Sequence, residues 1–333
     1  MSQVAMDSPS PTAADVTDGA AQRRQRRVLR LLQGLGVLLV VLILAGMVTT
    51  QGFFTVGNAK AILSSVSFVG IVAIGMTVIM FSGAFVSMSL GTTAAVTAIF
   101  FVYALQLGVF PAIVLTIVLG TLIGAVQGAL IGGWSANPII LTIAAGTVQA
   151  GITVAFTGGK TVAPPSDAYD FLNATPLGLP VSLYVLVGLV VLVELVMRRS
   201  RFGRYVHMVG ESRPAARAAA LPLGAIGAGV FGLACGVTAI AGILLGAYNQ
   251  SASLLLDKTL TYDAIAATLV GGAAVAGGRG AVWRTLFGSI AIAVVTDLLL
   301  LRGYSTGVQI LVKGLVVMVV VVAVHLQSRE RGA

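Results

Sequence analysis

The sequence predicts an all-α integral membrane protein, and three observations lead to this fold class. Of its 333 residues, 57% are hydrophobic and only 9% are charged, whereas soluble domains carry about 25% charged residues. The 31 Asp, Glu, Lys and Arg side chains are too few to cover a soluble globule of this length. Residues 61–159 contain no Asp, Glu, Lys, Arg or His at all. Lipid must therefore be the main solvent of this chain.

Ten apolar runs are long enough to cross a membrane. A helix that crosses a hydrocarbon core of about 30 Å needs about 20 mostly apolar residues. The runs predict spans at 28–48, 59–82, 85–106, 110–132, 137–157, 180–197, 223–248, 260–276, 282–301 and 305–326. The third run begins with a polar, glycine-flanked segment at 83–91, which predicts a broken or re-entrant start. The count of spans is therefore eight to ten.

The basic residues predict that both termini are cytoplasmic, because Lys and Arg are retained on that side. With ten spans, 15 of the 20 basic residues fall in inside segments, four fall outside, and Lys313 lies within the last span. The net charge of +9 thus reflects topology, and we expect no nucleic-acid partner. We expect a multi-pass protein of the plasma (inner) membrane with a disordered cytoplasmic tail at 1–27, a transmembrane domain at 28–326 and a C-terminal tail at 327–333.

Glycines give the clearest internal pattern. Gly120, Gly124, Gly128 and Gly132 recur every four residues, which predicts a small helix face for close helix packing. The segment 227–232 fits G-x-G-x-x-G, but it lies inside a hydrophobic run without a preceding strand or an acidic ribose partner. We interpret it as a second packing face and expect no ATPase activity in this chain.

Few ionisable residues lie within the predicted spans. Asp297 and Lys313 are on consecutive antiparallel spans, where they could meet as a structural ion pair. In an alternative interpretation they form an ion or proton relay of a stand-alone secondary transporter. His207 and His325 are isolated, and no Ser/His/Asp or Cys/His set converges, so we expect no metal site and no catalytic residues. A membrane enzyme or scaffold remains a third interpretation.

Three stretches resemble the membrane permease subunits of ribose-type sugar ABC importers, a family that is also similar to branched-chain amino acid permeases. The most specific one runs from Asp263-Ala-Ile-Ala-Ala through Gly271-Gly272 to Gly277-Gly278-Arg-Gly280, and we expect a structural role for these residues. A second stretch comprises Gly203-Arg204-Tyr and Gly210 to Arg217. The third joins Gly75-Met-Thr to Met88-Ser-Leu-Gly-Thr. With Val312-Lys313-Gly314, the likeness extends over about residues 50–326, and it implies the permease fold of these importers.

The arginine-rich loop at 198–222 is the loop that this family uses to couple to its ATPase. Its alanine-rich part has high helix propensity, and we expect residues 210–221 to form a short helix in a cleft of the ATPase. The resemblance implies a set of coupling residues: Gly203, Arg204, Gly210, Glu211, Ala215, Ala216 and Arg217. A bulky charged residue at position 216 is expected to abolish coupling without preventing insertion.

The resemblance implies alternating access driven by partner subunits. The partners would be a cytoplasmic ABC ATPase that binds ATP and Mg, an external solute-binding protein, and a second permease subunit in a homodimer or heterodimer; this chain itself would bind no cofactor. The nearly uncharged first half suits a neutral monosaccharide. Five polar residues are candidates for the translocation path: Ser87, Ser89, Asn137, Thr142 and Gln149. Another small solute, such as an amino acid, is the alternative cargo.

The chain departs from the family pattern in four places. Ser87 stands where the family usually has an acid, and no other carboxylate is nearby. Arg213 replaces a common Glu, while Ala220 and Arg284 each replace a Gly. These differences predict an outlying subfamily with its own ATPase pairing.

Overall fold

The computed structural model describes residues 47–84, 86–164, 169–257, 259–272, 277–278 and 280–330. The predicted tail at 1–27 and nearly all of the predicted first span at 28–48 lie outside these residues, as do residues 331–333. The remaining predicted spans can be compared with the observed helices.

Helices account for almost all regular structure in the described parts of the chain, which confirms the all-α class. The only β pairing among these residues is an isolated bridge between Val162 and Ala252. After residues 47–49, which are helical, the described part of the chain contains eleven further α-helices. They are α1 Val56–Phe81, α2 Leu90–Ala104, α3 Val109–Gly133, α4 Pro138–Thr157, α5 Val181–Arg199, α6 Arg201–Glu211, α7 Arg213–Ala218, α8 Leu223–Asn249, α9 Leu260–Val270, α10 Val282–Leu301 and α11 Thr306–Glu330.

Seven of these helices are long and apolar enough to cross a membrane: α1, α2 with the turn that follows it to Leu107, α3, α4, α5, α8 and α10. Helix α11 covers the last predicted span and continues to Glu330. The continuous span predicted at 260–276 is wrong, because α9 ends at Val270 and is followed by a turn at Gly271-Gly272. Its 11 residues rise about 16 Å, roughly half of a hydrocarbon core.

Helices α1 and α8 form the centre of the bundle. In their most apolar windows, 83% of the residues of α1 and 78% of those of α8 are buried, against 22% for both α3 and α4. Helix α1 packs against α5, α8, α9 and α10. The outer faces of α3 and α4 carry exposed Val, Ile, Leu and Phe side chains, as expected for helices that face lipid.

The predicted glycine face of α3 packs against α8. A Cβ at Gly124 would overlap the carbonyl oxygen of Phe231, and one at Gly128 would overlap that of Gly227. Backbone carbonyls cannot move aside as a flexible side chain can, so only glycine permits this approach. The interpretation of 227–232 as a packing face is confirmed, since Gly227 of α8 packs against Gly128 of α3 and Gly229 lies against the Phe202 ring.

Candidate functional site

The chain between α1 and α2 is not helical, as predicted for the third span. Helix α1 ends at Phe81, and Gly83 has a φ of +74°, a conformation that favours glycine. The described residues 84 and 86–89 are extended or bent, and α2 begins at Leu90. Irregular backbone at membrane depth is tolerated where it is buried in protein or lines a water-filled cavity. This segment therefore marks a candidate functional site.

Small polar side chains of this segment lie inside the bundle. Ser87 and Ser89 are fully buried, and their Oγ atoms are 3.1 Å apart. Ser89 Oγ donates to Gln127 Oε1 of α3 at 2.8 Å. Thr142 Oγ1 of α4 accepts a hydrogen bond from the Met88 backbone N–H at 3.1 Å. Three helices thus meet through hydrogen bonds around the broken start of α2.

A second layer of polar side chains lies one helical turn further along α2. Thr93 Oγ1 is 2.8 Å from Ser89 O and 3.0 Å from Gln149 Oε1 of α4. The two layers are linked through Ser89, whose side chain contacts Gln127 and whose carbonyl contacts Thr93. We call the combined set the polar cluster; its members are Ser87, Ser89, Thr93, Gln127, Thr142 and Gln149.

The polar cluster contains two amide nitrogens without a partner among the described residues. Gln127 is 4% exposed and Gln149 is 8% exposed, and neither Nε2 atom has a hydrogen-bond acceptor. A buried donor left unpaired costs about 1–3 kcal/mol. Such groups are rare in native proteins, and each calls for an explanation such as an ordered water, an ion or a functional role.

The cluster includes four of the five residues predicted for the translocation path, and Asn137 is the exception. Asn137 is exposed and caps α4, where its Oδ1 accepts from the Ile139 N–H at 2.9 Å. This position is a standard N-cap followed by Pro at N1, and it lies apart from the cluster. Sequence reasoning missed Gln127 and Thr93, although Gln127 is the only amide side chain in its predicted span.

Asp297 and Lys313, which could have met on consecutive spans, do not pair. Lys313 Nζ lies 2.6 Å from Asp263 Oδ1 instead, and both residues are almost fully buried. Asp297 accepts a hydrogen bond from Asn58 Nδ2 at 2.9 Å. Asp263 lies in the first turn of α9, and α9 packs against α11. The buried pair connects the half-helix to the last helix and leaves no Asp297/Lys313 relay.

The predicted helix at 210–221 is divided into two helices at Ser212. Helix α6 ends at Glu211, and the side chain of Ser212 caps α7 by accepting from the Ala215 N–H. Pro214 in the first turn of α7 suits a helix start. The break places the arginine-rich loop on two short helices rather than one.

The predicted coupling residues fall into an exposed group and a buried group. The exposed ones are Arg204, Glu211, Ala215 and Arg217. Gly203 is buried, and a Cβ there would overlap the carbonyl oxygen of Met197. Ala216 is only 1% exposed and belongs to the main hydrophobic core. A bulky residue at 216 would therefore disturb packing within this chain, which corrects the expectation that it would affect coupling alone.

Gly210 lies at a junction of three segments. A Cβ at Gly210 would overlap the carbonyl oxygen of Phe81 and would lie 2.7 Å from the Gly278 nitrogen. Gly278 N donates to Phe81 O at 3.2 Å, and a Cβ at Gly277 would lie 2.7 Å from Gly83 Cα. The end of α1, the end of α6 and the loop before α10 are thus in backbone contact.

His207 of α6 adds a side-chain contact to this glycine junction. Its Nδ1 is 2.9 Å from Gly278 O, and its ring stacks on Phe81 with centroids 5.1 Å apart. Gly280 leaves room for the same phenyl ring, since a Cβ there would lie 2.5 Å from it. Movement of α6 would therefore act directly on the segment that leads to the polar cluster.

The remaining motif glycines allow the turn after α9. A Cβ at Gly271 would lie 2.9 Å from the Arg284 carbonyl oxygen, while Gly272 has a φ of +79° and open space around it. Both positions therefore serve the backbone, as expected for structural residues. Within the residues that the structure describes, no group of three or more His, Cys, Asp or Glu side chains could hold a metal ion.

Arg217 connects the arginine-rich helices to the base of α4. Its Nη2 donates to Ser135 Oγ, in the turn between α3 and α4. Ser135 is two residues before the N-cap of α4, and α4 carries Thr142 and Gln149. This contact gives a second physical route from α7 to the polar cluster.

Comparisons with known proteins agree with this arrangement. Residues 58–324 match the family described as "Branched-chain amino acid transport system / permease component". The ribose import permease protein RbsC of Escherichia coli K12 is 30% identical over 295 residues, 85% of this chain and 91% of the relative. Its counterpart in Haemophilus influenzae is 28% identical over 86% of this chain and 91% of the relative.

A further relative is named for a different solute. The autoinducer 2 import system permease protein LsrD of Yersinia pseudotuberculosis is 31% identical over 263 residues, 76% of this chain and 79% of the relative. No solved structure matches the chain significantly. The matched region includes every helix from α1 to α10 and most of α11. The chain therefore belongs to this family of permease components, and it is a multi-pass membrane transport subunit.

Proposed function

We propose that this permease carries a monosaccharide such as ribose through the membrane as part of an ABC importer. The observation that supports this proposal best is the polar cluster. It is buried, uncharged and built of hydroxyl and amide groups at a break in a membrane helix. Broken helices near the middle of the membrane commonly form solute sites in transporters. Relatives named as ribose permeases add independent support.

The composition of the cluster favours an uncharged solute over an amino acid. An amino acid carries an ammonium and a carboxylate group, which require charged partners or helix ends within the membrane. None of the six members of the polar cluster is ionisable. The buried Asp263 and Lys313 are already paired with each other. Hydroxyl groups of a sugar can instead be donors and acceptors to Ser, Thr and Gln.

The energy source in this proposal is a separate ATPase subunit that binds ATP and Mg in the cytoplasm. It would contact the exposed faces of α6 and α7, and an external binding protein would deliver the sugar. A second permease subunit, identical or homologous, would complete the path. Closure of the ATPase would move α6 and α7 as rigid bodies, and the glycine junction and Arg217 would transmit that movement.

The proposed topology places both termini and the arginine-rich helices in the cytoplasm of a bacterial-type inner membrane. Arg198, Arg199, Arg201 and Arg204 lie together at the end of α5 and in α6, as the positive-inside rule requires. On the opposite side, the bridge between Val162 and Ala252 connects two external loops. Its two N–H···O bonds measure 2.9 and 2.8 Å.

Reconstitution tests the proposed function. The tagged permease is purified from its host membranes together with its partner subunits and placed in proteoliposomes with ATP inside. Uptake of radiolabelled ribose is measured with the host's binding protein outside, and autoinducer 2 is the parallel probe. We expect uptake that requires hydrolysable ATP and survives ionophores.

Two results would contradict this proposal. Uptake that is driven by an ion gradient without ATP would identify a secondary transporter. ATP-dependent uptake of an amino acid in preference to both hydroxylated probes would assign a different cargo to the same machinery.

A further inference from the structure

Gln127 and Gln149 are the two members of the polar cluster whose hydrogen bonding is incomplete. Each uses its carbonyl oxygen to accept a bond from a hydroxyl of the α2 segment, from Ser89 at 2.8 Å and from Thr93 at 3.0 Å. In this arrangement the oxygen of each amide faces the hydroxyl, and the nitrogen forms the other end of the group. Each amide nitrogen is therefore directed away from its hydroxyl partner and has no acceptor among the described residues.

The two hydroxyls that bind the amides belong to residues one helical turn apart on the α2 segment. Ser89 and Thr93 are four residues apart, and Thr93 Oγ1 is bonded to Ser89 O, so the two anchor points differ by about one turn, or about 5 Å along α2. This spacing is comparable to the width of a sugar ring. Two amides bound to anchors at this spacing could each meet a different oxygen of one small polyhydroxylated molecule.

Access to this place depends on α4. Helix α4 contacts mainly α2 and α3 among the described helices, and only Thr142, Gly146, Gln149 and Thr153 are buried along its 20 residues. A Cβ at Gly146 would meet α2 atoms at ordinary distances of 3.5 Å or more, unlike the glycines between α3 and α8. Helix α4, which carries Gln149, is therefore the least firmly packed of the membrane-crossing helices.

We propose that Gln127 and Gln149 form a solute subsite in which both amide N–H groups donate hydrogen bonds to hydroxyl or ring oxygens of an uncharged sugar. The inference rests on the proposed function and adds the specificity-determining donors to it. Ser87, Ser89, Thr93 and Thr142 are positioning residues in this arrangement, since their hydroxyls hold the glutamine oxygens or the backbone of the broken segment. Removal of either donor weakens solute binding.

The first test measures whether the two positions become accessible to water. Gln127→Cys and Gln149→Cys are made in the intact permease complex and treated with a small charged thiol reagent during ATP turnover. The native Cys235 is fully buried, so the wild type is the background. Thr116→Cys is the matched control, because Thr116 lies on α3 like Gln127 and is fully buried outside the cluster. We expect labelling at 127 and 149 only, and slower labelling with ribose.

The second test measures transport kinetics. Gln127→Met and Gln149→Met keep the length of the side chain and remove the donors. The loss of one neutral hydrogen bond to the solute is expected to raise KM for uptake by about tenfold, while the thermal midpoint of the complex stays near wild type. A structural role would instead lower the thermal midpoint and the uptake kcat.

The outcomes separate this inference from the proposed function. The subsite is overturned if the complex imports ribose but the cysteines at 127 and 149 are not labelled. It is also overturned if the KM for ribose is unchanged in both Met variants. Either result leaves the importer proposal intact. If the cysteines are labelled but neither ribose, autoinducer 2 nor other polyols slow the labelling, the assigned ligand class is overturned. The absence of any ATP-driven uptake by the wild-type complex contradicts the proposed function itself.

Discussion

The α3–α8 interface and the α2–α4 interface both join membrane-spanning helices, but they use different chemistry. Between α3 and α8 the glycines bring backbone against backbone, and no side chain could be added without a clash. Between α2 and α4, Thr142 accepts a hydrogen bond from the Met88 N–H and Gln149 accepts one from Thr93, around a glycine with ordinary clearance. In lipid, close packing supplies most of the stability of helix association. The first interface is thus suited to be a rigid support and the second to open.

The buried ion pair belongs to the rigid part, and breaking it should have the largest effect. Lys313→Met leaves the Asp263 carboxylate buried without its partner, which costs about 3–5 kcal/mol. We expect a marked fall in the thermal midpoint of the purified permease. The double variant Asp263→Asn with Lys313→Met should recover most of the loss, because no charge then remains. Equal loss in the single and double variants would show that the pair contributes little.

The close packing of glycines between α3 and α8 is tested by Gly128→Ala. The added methyl overlaps the Gly227 carbonyl oxygen, so α3 and α8 must separate, and overpacking of this kind costs about 1–3 kcal/mol. Thermal unfolding of the purified protein measures the change. Gly151→Ala on α4 is the control, since a Cβ there meets nothing within 4 Å. If both variants unfold at the same temperature as wild type, the α3–α8 interface is not the tight one.

The route from the arginine-rich helices to the opening interface is tested at Arg217. Arg217→Ala removes the contact with Ser135 while the exposed side chain leaves the core intact. We expect the ATP hydrolysed per sugar imported to rise about tenfold, with little change in thermal midpoint, because exposed polar contacts contribute little to stability. Ser135→Ala discriminates between two roles. A similar loss assigns the effect to the link with α4, whereas normal coupling assigns it to contact with the ATPase.

The fold could be predicted from the sequence mainly where helices are continuous. The apolar runs of the sequence predicted the bounds of five helices to within a few residues: α3, α4, α5, α8 and α10. They failed at 260–276, because an apolar run does not reveal that Gly271-Gly272 turns the chain after 11 residues. The sequence also does not show that Lys313 faces Asp263 of α9 rather than Asp297 of α10, because the length of an apolar run carries no information on which helices are neighbours.

The candidate site was only partly predictable for a related reason. The polar residues of the broken segment are visible in the sequence, and so is Gln149. Gln127 was overlooked because it lies among the packing glycines of α3, where periodicity indicates only close helix contact. Whether a buried amide is satisfied depends on three helices at once, and no spacing along one helix can show it. Ala216 was misjudged in the same way, since high helix propensity does not show which face is buried.

The smallest expected effect concerns the start of α4, the helix that covers the polar cluster. Asn137→Ala removes the N-cap bonds to Ile139 and Ile140, and the loss of such a cap costs about 0.5–2 kcal/mol. Because α4 is loosely packed, the cost should appear as faster amide hydrogen exchange in its first turns, with little change in global unfolding. Asn137→Ser keeps a capping oxygen and should behave as wild type in exchange and in the KM for uptake. If the Ser variant raises the KM for uptake while amide hydrogen exchange is normal, Asn137 contacts the solute as well as capping the helix. If amide hydrogen exchange in both variants is as in wild type, the cap does not control how α4 opens.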